Sequence, residues 1–321
     1  MDKTTFPETL TEAIVFFAVP ENALSFMAAL RWEDGVARCP KCQSTNAGFL
    51  ATRKLWKCRD CAKQFSVKAG TVFEDSPLGL DKWLPAVWLI VNAKNGVSSC
   101  EIARSLGVTQ KTAWFMLHRI RLAMQNGSFT KLSGTVEVDE TYIGGKAANM
   151  HKDKRAKRIK GRGMTGKDVV MGLLERGADK KASRVRHKVL KAADKASLHG
   201  EIHRNVEAGS NVYTDCLPAY CPMDEKYVHA TVDHAVEYVR ESVHTNSLEN
   251  FWALLKRTLK GTYVSVNAEH LSRYLDEQSF RFNERKDNDQ GRFLKAIAGI
   301  IGRRLTYASL ILKGADGLPA M

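Results

Sequence analysis

The sequence predicts a mixed α/β protein whose first third is helical and cysteine-bearing and whose remainder is built on strands. Three observations carry this. Two Cys-x-x-Cys pairs lie between residues 39 and 61, helical periodicity runs through residues 7–30 and 80–125, and from Gly134 onward β-branched alternating segments interleave with helices. With 321 residues, 44% of them hydrophobic, the chain can bury two or three domain cores, which excludes a disordered tail protein. Its longest apolar runs, 13–19 and 84–91, fall well short of the roughly 18–20 residues of a membrane span. Met1-Asp2-Lys3 opens no signal pattern, so an intracellular chain with no membrane partner is expected. A net charge of +14 points to a polyanionic partner, nucleic acid first.

The elements follow in order. Residues 1–30 form two short amphipathic helices separated at Pro20. Residues 31–75 read as a zinc ribbon: Cys39, Cys42, Cys58 and Cys61 offer two knuckles, and short strands at 48–51, 55–57 and 64–68 frame them. Four thiolates fill a tetrahedron, so one structural zinc is expected, with no position open for water. The ribbon's Arg53, Lys54, Lys57 and Arg59 suit phosphate contact. Residues 76–130 contain a helix-turn-helix pattern in which Ser98 and Glu101 start one helix, Gly107 permits the turn and Thr109 caps the next. Gln110, Lys111 and Thr112 then stand at the end of a recognition helix, with Arg119 and Arg121 as its basic tail.

Residues 131–285 change to strands. Thr135–Ile143, Val169–Leu174 and Ser183–Leu190 precede a helix at 192–205, then come strands at 211–215 and 228–232 and helices near 246–260, 267–283 and 291–304. Three strands, a helix, two more strands and then helices is the order of a ribonuclease-H-like α/β core. In that order the first and fourth strands are neighbours. Asp139 lies on the first, Asp215 lies 76 residues later at the end of the fourth, and Glu249 follows after another 34 in the first turn of a helix. Three carboxylates so placed suit two hard divalent cations, Mg²⁺ or Mn²⁺, for displacement at phosphorus. Each also has a structural reading. Glu137 and Glu140 are equally acidic neighbours, Asp215 can cap the next turn, and Asn246-Ser-Leu-Glu249 is a capping box. Lys256, seven residues after Glu249 on the same helix face, is placed to hold a phosphate, with Arg257 and Lys260 extending the contact. Tyr142 lacks the Arg/His/Arg setting of a tyrosine recombinase.

The chain resembles the DDE insertion-sequence transposases with an N-terminal zinc ribbon, a bacterial group related to the Merlin transposases. The resemblance runs from about residue 10 to 285. It is carried by the four cysteines, Val138-Asp-Glu-Thr-Tyr-Ile-Gly-Gly145, Val212-Tyr-Thr-Asp215, His244-Thr-Asn-Ser-Leu-Glu-Asn-Phe-Trp-Ala-Leu-Leu-Lys-Arg257 and Arg273–Asn283. It implies catalytic Asp139, Asp215 and Glu249 with Lys256 as helper. It also implies binding of double-stranded DNA at terminal inverted repeats and target sites, a homodimer or larger assembly on DNA, and a bacterial, nucleoid-associated cytoplasmic location. A non-enzymatic DNA-binding regulator and a stand-alone nuclease or junction resolvase are the rival readings.

The positive charge is localised. Residues 38–68 hold eight Lys/Arg against one Asp, and residues 146–168 hold nine against two, so these windows carry the whole excess. The second window is expected to be a flexible insertion that grips phosphates through Lys154, Arg155, Lys157, Arg158, Lys160 and Arg162. Residues 286–321 are read as a C-terminal helix and a disordered tail.

Overall fold

The computed structural model describes residues 6–125, 130–145, 151–158, 166–177, 182–232 and 243–311. The chain divides into two units, one made of residues 1–125 with 287–321 and the other of residues 126–286.

In the first unit, helix α1 (Leu10–Ala18) starts at a capping box between Thr9 and Glu12. Helix α2 (Pro20–Arg31) starts at Pro20, whose missing N–H falls where a helix needs no donor. The ribbon is a three-stranded antiparallel sheet of β1 (Ala47–Leu50), β2 (Leu55–Cys58) and β3 (Gln64–Phe65). Trp56 on β2 packs 4.8 Å from Trp32 and 4.8 Å from Phe49, which supplies the apolar core that so small a sheet lacks. Helices α3 (Leu80–Asn92), α4 (Ser99–Leu106) and α5 (Gln110–Ala123) follow. Gly107, at φ 62°, ends α4, and Thr109 accepts the Thr112 amide to start α5.

The second unit holds β4 (Thr135–Ile143), α6 (Lys152–Arg158), β5 (Asp168–Glu175), β6 (Arg184–Leu190), α7 (Lys195–Asn205), β7 (Asn211–Asp215), β8 (Val228–Val232), α8 (Asn246–Thr258) and α9 (Ala268–Asn283). The strand order is β6-β5-β4-β7-β8; β4, β5 and β6 are antiparallel, while β4, β7 and β8 run parallel. Counted within the unit this is 3-2-1-4-5, the expected ribonuclease-H-like arrangement. Strand alternation sorts the core into two layers. Val136, Val138, Met171 and Leu173 meet Leu198 and Ile202 of α7 on one face. On the other, Val170, Leu174 and Val185 meet Leu248, Phe251 and Trp252 of α8 and Leu271 and Leu275 of α9.

Within the window 146–168, expected as a flexible insertion, Lys152–Arg158 form the short helix α6. Lys160 and Arg162 lie outside the described residues. The C-terminal segment, read as a helix and a tail, belongs with the first unit. In α10 (Asp289–Ala298), Phe293, Ala296 and Ile297 form a buried stripe, and Phe293 sits 4.9 Å from Trp88 of α3 and 5.7 Å from Phe17. The Val72 amide donates to Ile300 O at 3.1 Å, and a last helix, α11 (Tyr307–Ile311), closes the description. The tail 313–321 lies outside the described residues. Among the described residues no single helix is long and apolar enough to cross a membrane.

Candidate active site and metal centre

The four cysteine sulfurs lie within 4.8 Å of one another. Two of the edges, Cys39–Cys61 and Cys42–Cys58, measure 3.5 and 3.6 Å. A tetrahedron with Zn–S bonds of about 2.3 Å has S···S edges of about 3.8 Å, so the cage fits zinc. The two knuckles are built alike: Gln43 and Ala62, each directly after the second cysteine, are left-handed at φ 60° and 57°. That turn aims backbone amides at sulfur; the Cys61 and Asp60 amides pull the Cys58 thiol below its ordinary value, which favours the thiolate a metal needs. Asp60, bonded to the Asn46 amide group at 2.8 Å and to the Ser44 hydroxyl, ties one knuckle to the other.

The second centre is assembled from distant parts of the chain. The parallel register of β4 and β7 pairs Val136 with Val212 and Glu137 with Tyr213; continued two residues, it sets Asp139 beside Asp215. The paired residues end at Glu137 and Tyr213 and β7 ends at Asp215, while β4 runs on to Ile143 against β5, so Asp139 lies mid-strand where the neighbouring strand stops. Burial, with Glu140 and Asp215 adding negative charge, pushes the Asp139 carboxyl up to about 7. Burial and Asp215 also raise Glu140, although the Tyr220 hydroxyl, donating to it at 2.8 Å, works the other way. Oxygen donors crowded in this way suit a hard divalent ion. Asp215 Oδ1 also accepts the Leu217 amide at 3.1 Å, so its turn-capping reading holds as well. Tyr142 is raised by burial and by Glu140 and Asp215, which keeps it a neutral phenol and a poor nucleophile.

Helix α8 presents the third carboxylate. Its N-cap is Thr245, one residue earlier than the sequence pattern suggests, so Glu249 falls at the fourth helical position and is not the glutamate of a capping box. The amide at the third position, Leu248, is shared between Thr245 O at 3.0 Å and Glu137 Oε2 of β4 at 3.0 Å, so the cap comes from another strand. Glu137 is wholly buried and pairs with Arg176 Nε at 2.6 Å, and Arg176 in turn bonds His244 Nδ1 at 2.8 Å and its carbonyl at 2.7 Å. Glu137 is thereby a structural carboxylate. Glu140 turns to the opposite face of the sheet, toward Tyr220. Four residues along α8 from Leu248, the Trp252 indole donates to Asp139 Oδ2 at 2.9 Å. Glu249 itself is exposed, 3.5 Å from the Thr245 hydroxyl. Among the described residues only the four cysteines close to within 4.8 Å as a group of three or more, so Asp139, Asp215 and Glu249 do not close to that distance as a set. Lys256, Arg257 and Lys260 are exposed along and just past the same helix.

The basic residues assigned to DNA divide by burial. Arg53, Lys54, Lys57, Arg59, Gln110 and Lys111 are exposed, Thr112 is half-buried, and Arg155 on α6 is exposed. Lys54 is paired with Glu21 at 2.7 Å. Arg119 and Arg121, expected as a basic tail, are 6% and 1% exposed. They face inward because a helix buried on most of its circumference draws long side chains into the core; Arg119 donates to Leu305 O at 3.1 Å and lies 4.5 Å over the Phe115 ring. They are interior groups in this structure, not phosphate contacts.

Sequence reasoning missed Trp252, Tyr220, Arg176 and His244. The one signal for Trp252 was its place three residues after Glu249, indistinguishable there from an ordinary core aromatic.

A family described as the ISXO2-like transposase domain matches residues 131–283, and one described as the transposase zinc-ribbon domain matches residues 20–64. A protein described as an uncharacterized protein in transposable element ISH50, from Halobacterium salinarum, is 29% identical over 272 residues, covering 81% of this chain and 89% of that one.

Proposed function

Starting from the fact that this chain belongs to the insertion-sequence transposases that join a zinc ribbon to an ISXO2-like transposase domain, we propose that it cuts DNA at the ends of its element and joins the freed 3′-OH to target DNA. The observation that carries this reading is the parallel register that sets the half-buried Asp139 and Asp215 side by side where β7 ends, with burial and then the neighbouring carboxylates pushing the Asp139 carboxyl up to about 7. Asp139 and Asp215 would hold two Mg²⁺ or Mn²⁺ ions, with Glu249 completing the set from α8. Such a pair, when bound, activates the attacking oxygen and stabilises the leaving one. The chain's own groups do the rest. Asp139 and Asp215 fix the place of reaction at the sheet edge, and Trp252 excludes water from one side of Asp139. Lys256, Arg257 and Lys260 hold backbone phosphates along α8, and no side chain serves as nucleophile. The ribbon's exposed Arg53, Lys57 and Arg59 and the α5 residues Gln110, Lys111 and Thr112 contact the terminal inverted repeats. Because two ends must be held together, the chain acts as a dimer or larger assembly on double-stranded DNA.

Band-shift and strand-transfer assays with the DNA flanking the gene test the reading. Specific retardation, Mg²⁺-dependent cleavage and joining of precut ends are expected. Binding with no cleavage would leave a regulator, and cleavage with no joining would leave a nuclease.

A further inference from the structure

Two side chains of one strand grip one helix. Glu137 and Asp139, two residues apart on β4, face α8 and accept from the Leu248 amide at 3.0 Å and the Trp252 indole at 2.9 Å. Four helical residues rise about 6 Å and two strand residues span about 6.6 Å, so the two rungs match only if helix and strand run alongside in one register. Clearance for the second rung comes from Gly172, the residue paired with Asp139 across β5. A Cβ there would stand 2.6 Å from Trp252 Cζ2 and 2.9 Å from Leu248 Cδ1. The ring therefore lies against the sheet at the one place where the sheet has no side chain, and it is 3% exposed.

We infer that Trp252 is a positioning residue for Asp139: its N–H holds one carboxylate oxygen, fixes the rotamer, and leaves the remaining lone pairs for a divalent cation. This rests on the reading of Asp139 as a cation ligand. The same bond locks the register of α8, so it sets how far Glu249, three residues before Trp252, stands from the sheet. The indole N–H is also the donor that holds Asp139 in the same orientation whether or not the cation is there, as outer-shell partners of metal ligands do.

The test is Mn²⁺ binding to the zinc-loaded full chain, read by the electron paramagnetic resonance of free Mn²⁺, with DNA band-shift affinity and metal-free unfolding temperature measured alongside. Trp252→Phe keeps the ring and removes the donor. It should weaken Mn²⁺ binding about tenfold, in the range seen for lost outer-shell hydrogen bonds, with band-shift affinity unchanged. Gly172→Ala keeps the indole but displaces it and should act in the same direction, which decides the matter if Trp252→Phe fails to fold. Wild-type Mn²⁺ affinity in both variants, with Asp139→Asn impaired, would overturn this inference alone. Wild-type affinity in Asp139→Asn would remove the underlying reading with it.

Discussion

The zinc ribbon and the carboxylate edge solve the same problem, gathering like-charged ligands, in opposite ways. The ribbon does it locally. Each knuckle is a four-residue turn followed by a left-handed residue, its amides already aimed at sulfur, and the two knuckles lie 15 residues apart. The carboxylate edge does it at long range: Asp139 and Asp215 meet only because β4 and β7 are parallel neighbours, and Glu249 arrives on a helix registered through Glu137 and Trp252. The local device has all its ligands within 4.8 Å, whereas the three carboxylates of the long-range one do not close to that distance as a set. A centre built from turns depends on its metal to hold a small fold. One built on a sheet owes its frame to the core and uses its ligands to make a crowded, acidic place.

The largest effect should therefore fall on the ribbon. Cys39→Ser or Cys58→Ser, or chelation, is expected to release zinc and unfold residues 31–75, seen as lost metal content and lost specific band shift. The second unit should keep its fold. Next, Glu137→Ala removes the buried partner of Arg176 and the cap of α8, and should destabilise the second unit by about 3–5 kcal/mol in denaturant unfolding. Replacing Asp139 should do the reverse in metal-free protein. Its folded value is about 7 against about 3.9 unfolded, so the unfolded chain releases the proton first. Stability is full below about pH 4 and is lost as pH rises toward 7. Asp139→Asn should flatten that decline and gain about 1–3 kcal/mol at pH 8, and added Mg²⁺ should stabilise the wild type but not the variant. A decline that persists in the variant would place the crowding elsewhere. The smallest effect should come from Lys54→Ala, which breaks an exposed pair with Glu21 and should leave the unfolding temperature unmoved, with any change confined to DNA affinity.

The contrast also explains what could be read from the sequence. Spacing alone exposes a site made of turns, so the four cysteines were legible as a set. The strand order was legible because β-branched alternation and helical periodicity are local, and the order then placed Asp139 beside Asp215 with no further information. Interactions across the fold were not legible. Nothing in the local pattern around Glu137 separates it from Asp139: both face α8, and only the contact with Arg176 and Leu248 makes one structural and leaves the other crowded by carboxylates. Nor does an arginine at the end of a helix announce burial; Arg119 is held by the Leu305 carbonyl of the returning C-terminal segment, a contact spanning 186 residues, and Arg121 is buried as well. The capping box read at Asn246–Glu249 was displaced by one residue for the same reason, since the Leu248 amide is met by a carboxylate from another strand.

The central claim is that the edge between β4 and β7 performs the DNA chemistry. The most direct measurement is joining of precut element ends to target DNA in Mg²⁺ by Asp139→Asn protein, checked for zinc content and specific band shift. Joining reduced to background with binding intact is the predicted result; joining at the wild-type rate would contradict it.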